Sequence, residues 1–89
     1  MGEKEQYLAL MSEVIAKQSD ILGPDIAKLK ARNVSSIVIN NKGEVTDVKG
    51  DPSEALQRLI DEYIALSGLI VKNVMKPIFE KYPSIKLGE

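Results

Sequence analysis

The stretch GDPSEALQRLIDEYIALSGLIVKNVMKPIFEKY, residues 50–82, decides how this chain is read. Asp51 is a good N-cap, because its short carboxylate can accept from the N–H groups that a helix leaves open in its first turn. Pro52 suits the first helical position, and Glu54, three after the cap, completes a capping-box pattern. Downstream, Leu56, Leu59, Ile60, Tyr63, Ile64, Leu66, Ile70, Val71, Val74, Met75 and Ile78 recur at spacings of three and four. Gln57, Arg58, Asp61, Glu62, Lys72, Asn73, Lys76 and Glu80 fill the opposite side, as in a two-faced helix. The pattern predicts one long amphipathic helix over about 52–76. It continues to about 82 past a kink at Pro77, where a backbone donor is lost and the ring meets the preceding turn.

The length of this helix carries a consequence. From residue 52 to 82 it spans roughly 45 Å at about 1.5 Å per residue. A compact chain of this size has a radius of gyration of about 12 Å, hence a diameter near 30 Å. Either Gly68 or Pro77 bends the helix back, or a second subunit covers the excess apolar face. The second solution is preferred, and a homodimer is expected. Ala65, Ser67 and Gly68 form a small-residue centre where two helices can approach. Glu54, Asp61 and Glu62 precede that centre and Lys72, Lys76 and Lys81 follow it, so antiparallel self-pairing would oppose unlike charges. The helix dipole alone favours the same charge order. Leu59, Tyr63, Leu66, Gly68, Ile70 and Val74 are the expected interface or core residues.

Outward from this helix, the preceding segment changes period. Val34 to Asn40 is rich in β-branched residues, Glu44 to Lys49 alternates loosely, and Asn40-Asn41-Lys42-Gly43 between them is turn chemistry. A hairpin over about 35–49 follows. Val45 and Val48 are three apart, which breaks strict alternation and points to a bulge. A lone hairpin is marginal in water, so it must pack on the helices or pair with another copy. Before it, Gly23-Pro24-Asp25 starts a short helix over about 24–32. Its apolar side is Ile26, Ala27, Leu29 and Ala31, with Lys28, Lys30 and Arg32 around the rest. The first helix, over about 4–18, carries the stripe Tyr7, Leu8, Met11, Val14 and Ile15. Residues 83–89 form a tail. The fold class is thus α+β, in the order helix, helix, strand, strand, long helix, within one domain of 89 residues.

Composition limits the function. A net charge of −1 removes the basic excess typical of nucleic-acid and anionic-membrane binders. Without Cys there is no disulfide scaffold and no thiolate metal site. The polar, charged start excludes a secretory signal, and no apolar run approaches the ~20 residues of a membrane span. A soluble, cytoplasmic protein is expected. With no His or Cys, acid–base work would fall to carboxylates, Lys or Tyr. The nearest carboxylate pairs, Asp20 with Asp25 and Asp47 with Asp51, stand beside helix starts, where capping accounts for them. Calcium-loop, phosphate-loop, nucleophile-elbow and metalloprotease patterns are all missing. No catalytic, cofactor or metal residue is assigned.

The stretch Ser36-Ile-Val-Ile-Asn-Asn-Lys-Gly-Glu-Val followed by a long helix resembles the front half of a roadblock or profilin-like regulatory domain. The resemblance implies a dimeric scaffold that binds small GTPases or other proteins. Such domains need three further strands, and only Pro83 to Glu89 remain here, so the likeness is one of architecture. The expected function is a non-catalytic interaction, regulatory or scaffold module acting through self-association of its long helix, with an unidentified protein partner. The alternative is a nucleic-acid-associated accessory protein using Lys28, Lys30 and Arg32. A small Asp- or Lys-dependent enzyme comes last.

Overall fold

The computed structural model describes residues 3–82, the side chains of residues 67, 69–72 and 74 excepted. Six elements follow one another: α1 (Glu3–Leu22), α2 (Pro24–Arg32), β1 (Ile37–Ile39), β2 (Val45–Val48), α3 (Pro52–Ser67) and α4 (Leu69–Glu80). The fold is a small α+β arrangement of four helices and a two-stranded antiparallel sheet.

The expected long helix is two helices, and the order is therefore helix, helix, strand, strand, helix, helix. Gly68 makes the break. Its φ of 61° and ψ of −131° lie where a Cβ would clash with the backbone, a conformation glycine adopts without that penalty. Its N–H still closes the last turn of α3 by donating to the Ile64 carbonyl at 2.8 Å. Beyond it, α4 packs back on both α1 and α3. The described body measures 30 × 26 × 18 Å, with a radius of gyration of 11.7 Å. An unbroken helix of roughly 45 Å could not be enclosed in it. Pro77, the expected kink or stop, lies inside α4, which runs on to Glu80. Pro77 and Asn73 are both exposed. The Asn73 carbonyl that loses its donor is thus on the solvent side, where water can replace the bond.

The first helix is longer than its apolar stripe indicated, running four residues past Gln18 to Leu22. Its stop is Gly23 at φ 91°, whose N–H donates to the Ser19 carbonyl at 3.0 Å. The same glycine, followed by Pro24, opens α2. At the long helix's start, Asp51 accepts from Ser53 N–H at 3.0 Å as expected of a cap. Glu54 does not close a capping box. Its carboxylate faces Arg58 one turn on, at 2.6 Å.

In the hairpin, Ile37 pairs with Val48, Val38 with Asp47 and Ile39 with Val45, so Thr46 is the extra residue of a bulge. The bulge turns Val45 and Val48 to the same buried side despite their odd spacing. Asn40 organises the turn, its side-chain oxygen accepting from Lys42 N–H at 2.9 Å and Glu44 N–H at 3.0 Å. The hairpin is seated on α1 through Ser12, whose Oγ accepts from Val45 N–H at 2.9 Å and donates to the Leu8 carbonyl at 2.8 Å. Gly43 approaches α1 closely, and a Cβ there would stand 3.4 Å from the Ile15 side chain. Among the described residues the sheet has two strands, short of what a roadblock-like domain requires.

One core joins all six elements. Leu10, Met11, Val14 and Ile15 of α1 meet Ala27 and Ala31 of α2 and Ile37, Val45 and Val48 of the sheet. Leu56, Leu59, Ile60 and Tyr63 of α3 and Met75 and Ile78 of α4 complete it. Each fully buried large side chain contributes about 1.5–3 kcal/mol relative to exposure.

Candidate functional site

Two features outside this core could serve a function: an exposed apolar edge and a polar clasp that holds α4. The edge arises where α2 lies along the last turns of α3. Tyr63 Oη donates to the Ala27 carbonyl at 2.7 Å, and Asn33 Nδ2 donates to Glu62 Oε1 at 3.1 Å. These bonds fix which sides of the two helices face inward. On α2, Ala27 and Ala31 point into the core, and the larger Ile26 and Leu29 are left outside. Of the four residues expected on the apolar side, Ala27 and Ala31 are thus buried and Ile26 and Leu29 are exposed. Leu66, three residues after Tyr63, is 47% exposed, and Leu29 is 56% exposed. Ile21, in the last turn of α1 before the Gly23 corner, is also exposed.

The expected interface or core set is thereby divided. Leu59 and Tyr63 are fully buried within one chain. Leu66 is not core but surface. Gly68 is the cap between α3 and α4, and a Cβ added there would meet nothing within 4 Å, so its role is conformational. Ile70 and Val74 lie in α4, and their side chains fall outside the described set. Burial lifts the Tyr63 hydroxyl well above the ordinary tyrosine pKa, in keeping with its place as a donor inside the core.

The basic trio of α2 is not one surface. Lys28 Nζ donates to the Asn41 carbonyl at 3.0 Å and so ties α2 to the hairpin turn. Arg32 is exposed and Lys30 is half-buried. Alternate positions on a helix point some 200° apart, which separates Lys28 from Lys30 and Lys30 from Arg32. Of the carboxylate pairs, Asp20 lies within α1 and Asp25 in the first turn of α2, whereas Asp47 and Asp51 have separate bonded roles. Asp47 pairs with Lys4 at 2.7 Å, which together with the Val48 N–H holds its pKa below the usual value, and Asp51 caps α3.

The clasp was not legible from the sequence. Glu13, in the middle of α1, accepts from Lys81 Nζ through Oε1 and from Tyr82 Oη through Oε2, each at 2.6 Å. Those two hydrogen bonds hold the Glu13 carboxyl below its ordinary pKa, with Lys81 the larger influence. In return the Glu13 carboxylate, aided by burial, pushes the Tyr82 hydroxyl up to about 12. Nothing in residues 3–22 marks Glu13 as special until α4 is known to return across α1.

Two further polar features lie outside the edge and the clasp. Ser36, Lys49, Asp51, Glu54, Ala55 and Arg58 line a notch of about 120 Å³ beside the start of α3. Ordinary ligand pockets occupy about 300–1,000 Å³. The notch is small, and of its charged lining Asp51 caps α3 and Arg58 pairs with Glu54. Gln18 is fully buried, and neither its amide nitrogen nor its oxygen has a partner. Among the described residues no three acidic side chains converge, and no helix is long and apolar enough to cross a membrane. Compared with known proteins, the chain matches no family model, no curated protein and no solved structure.

Proposed function

We propose that this protein is a non-catalytic interaction module that self-associates through the outer edge of α2 and the end of α3. One observation carries the reading. Ile26 and Leu29 of α2 and Leu66 of α3 leave large apolar side chains in solvent on neighbouring helices, where burial would be favourable. A second copy fits this edge on charge. The sequence of α2 has a basic excess, with Arg32 exposed, and that of α3 an acidic excess, with Asp61 exposed. In a two-fold contact each surface meets its own copy, so α2 of one chain can lie against α3 of the other with unlike charges opposed. The self-association expected from a single long helix is thereby moved to a different place. The excess helix length that first motivated it is absorbed by the break at Gly68.

The test is multi-angle light scattering across a concentration series. The wild type is expected to show a mass rising toward roughly twice 9.8 kDa, and Leu29→Asp to remain monomeric with an unchanged helical circular dichroism spectrum. A wild type that stays monomeric up to millimolar concentration overturns the reading. A salt-sensitive mobility shift of duplex DNA, lost in the Lys28, Lys30 and Arg32 triple alanine variant, would favour the nucleic-acid alternative.

A further inference from the structure

The apolar period of residues 52–82 passes through Gly68 without a change of phase, yet the chain folds back there. A single residue separates α3 from α4, and two shapes differ in its backbone conformation. With Gly68 at φ 61° and ψ −131°, α4 returns onto α1 and α3. With Gly68 in the ordinary helical region, α3 and α4 become one helix from Pro52 to Glu80, about 43 Å long. No side chain caps α4 at present, and its first N–H groups have no carbonyl within their own helix. The continuous form would supply those carbonyls from the last turn of α3.

A helix of that length exceeds the 30 Å long dimension of the body, so α4 would have to leave its own groove. It would carry Met75 and Ile78, each 2% exposed in the closed form, into water together with the partners of Glu13. A second copy in the same state presents the identical vacated groove. We propose that α4 is an exchangeable segment: Gly68 is a hinge through which two copies trade their α4 helices, each α4 packing on α1 and α3 of the other chain. Every contact outside the hinge is then remade, with Glu13 of one chain holding Lys81 and Tyr82 of the other. Short connections of this kind are where such exchange occurs.

The protein contains no cysteine, so a chosen pair reports cleanly on which chain α4 serves. In Glu13→Cys/Lys81→Cys the two sulfurs stand close in both forms, within one chain when closed and between chains when exchanged. The protein is warmed through its transition and cooled at about millimolar concentration, treated with a short bis-maleimide, and run on a denaturing gel. Exchange predicts a covalent dimer. Gly68→Ala in the same background should raise its fraction roughly tenfold or more, because alanine favours the helical region and disfavours φ near +61°. Leu69→Pro should suppress it, since proline is accepted at the first position of α4 but would clash with the Ala65 carbonyl in a continuous helix. Cross-linking confined to single chains, in folded wild-type-hinge and Gly68→Ala proteins alike, overturns the proposal. If Gly68→Ala does not fold, the wild-type hinge with the cysteine pair decides alone. The readout is separate from the surface contact through Leu29. A dimer by light scattering with only intrachain cross-links supports the edge and rejects exchange, whereas interchain cross-links persisting in Leu29→Asp support exchange alone.

Discussion

At the scale of single residues, the energetics turn on three buried or half-buried polar groups. Gln18 has both amide atoms unpaired in a fully buried site on α1. An unsatisfied buried polar group costs about 1–3 kcal/mol, so the isosteric apolar change Gln18→Met should raise stability by about 1 kcal/mol in urea unfolding. Destabilisation by that amount would mean that the amide is bonded after all. Tyr63 is the opposite case, because its hydroxyl satisfies the Ala27 carbonyl inside the core. Tyr63→Phe removes this bond to a carbonyl that the helix also serves and should lower stability by about 1 kcal/mol, with the same fold by circular dichroism. Glu13 gives a pH signature. Its folded pKa is lowered from 4.5, so it contributes stability above that pH and loses it as the pH falls further. The folded pKa of Tyr82 is raised from 10.0 to about 12, so its contribution is complete below pH 10 and fades between 10 and 12. The stability difference between wild type and Glu13→Gln should be largest between those limits. A difference that is flat from pH 3 to 8 would remove the clasp from the account.

At the scale of elements, the helix ends at Gly23, Asp51 and Gly68 have different causes, and these differ in weight. Asp51 is the side-chain cap of α3, and Asp51→Ala should cost about 1 kcal/mol, seen as a lower midpoint in thermal unfolding. No loss, or a gain, would show that the Ser53 N–H is equally well served by water. Ser12 joins two elements, donating within α1 and accepting from β2. It positions the hairpin because the bulge at Thr46 leaves Val45 N–H pointing away from β1 and toward α1. Gly68 outweighs both, since it sets the direction of a whole helix rather than the satisfaction of one donor.

At the scale of the molecule, α4 joins the body through the single residue Gly68 at one end and, just past its other end, through the bonds of Lys81 and Tyr82 to Glu13. Native-state hydrogen exchange should therefore show α4 amides opening before those of α1 and α3. Glu13→Gln should accelerate exchange in α4 and leave the hairpin unchanged. Uniform acceleration across all helices would indicate that α4 opens only with global unfolding. Attachment at these two ends is what the proposed exchange would remake on a second chain, whereas the apolar edge at Leu29 and Leu66 belongs to α2 and α3.

The sequence by itself determined the local decisions. The three-and-four spacing placed helices at both ends, Asn40 to Gly43 set the turn, the odd spacing of Val45 and Val48 announced the bulge, and Asp51 marked the start of α3. These are short-range effects, settled by backbone sterics and by bonds between near neighbours. The path of the chain after Ser67 was not settled in that way. A glycine in an apolar stripe is compatible with a continuous helix and with a sharp reversal, because its own conformational energy is nearly the same in both. Only the tertiary structure chose, by burying Met75 and Ile78 and pairing Glu13 with Lys81 and Tyr82, residues nearly seventy positions away. It likewise decided that Ala27 and Ala31 face inward and Ile26 and Leu29 outward, since α2 is oriented by its packing on α1 and α3 and by the Tyr63 bond to the Ala27 carbonyl.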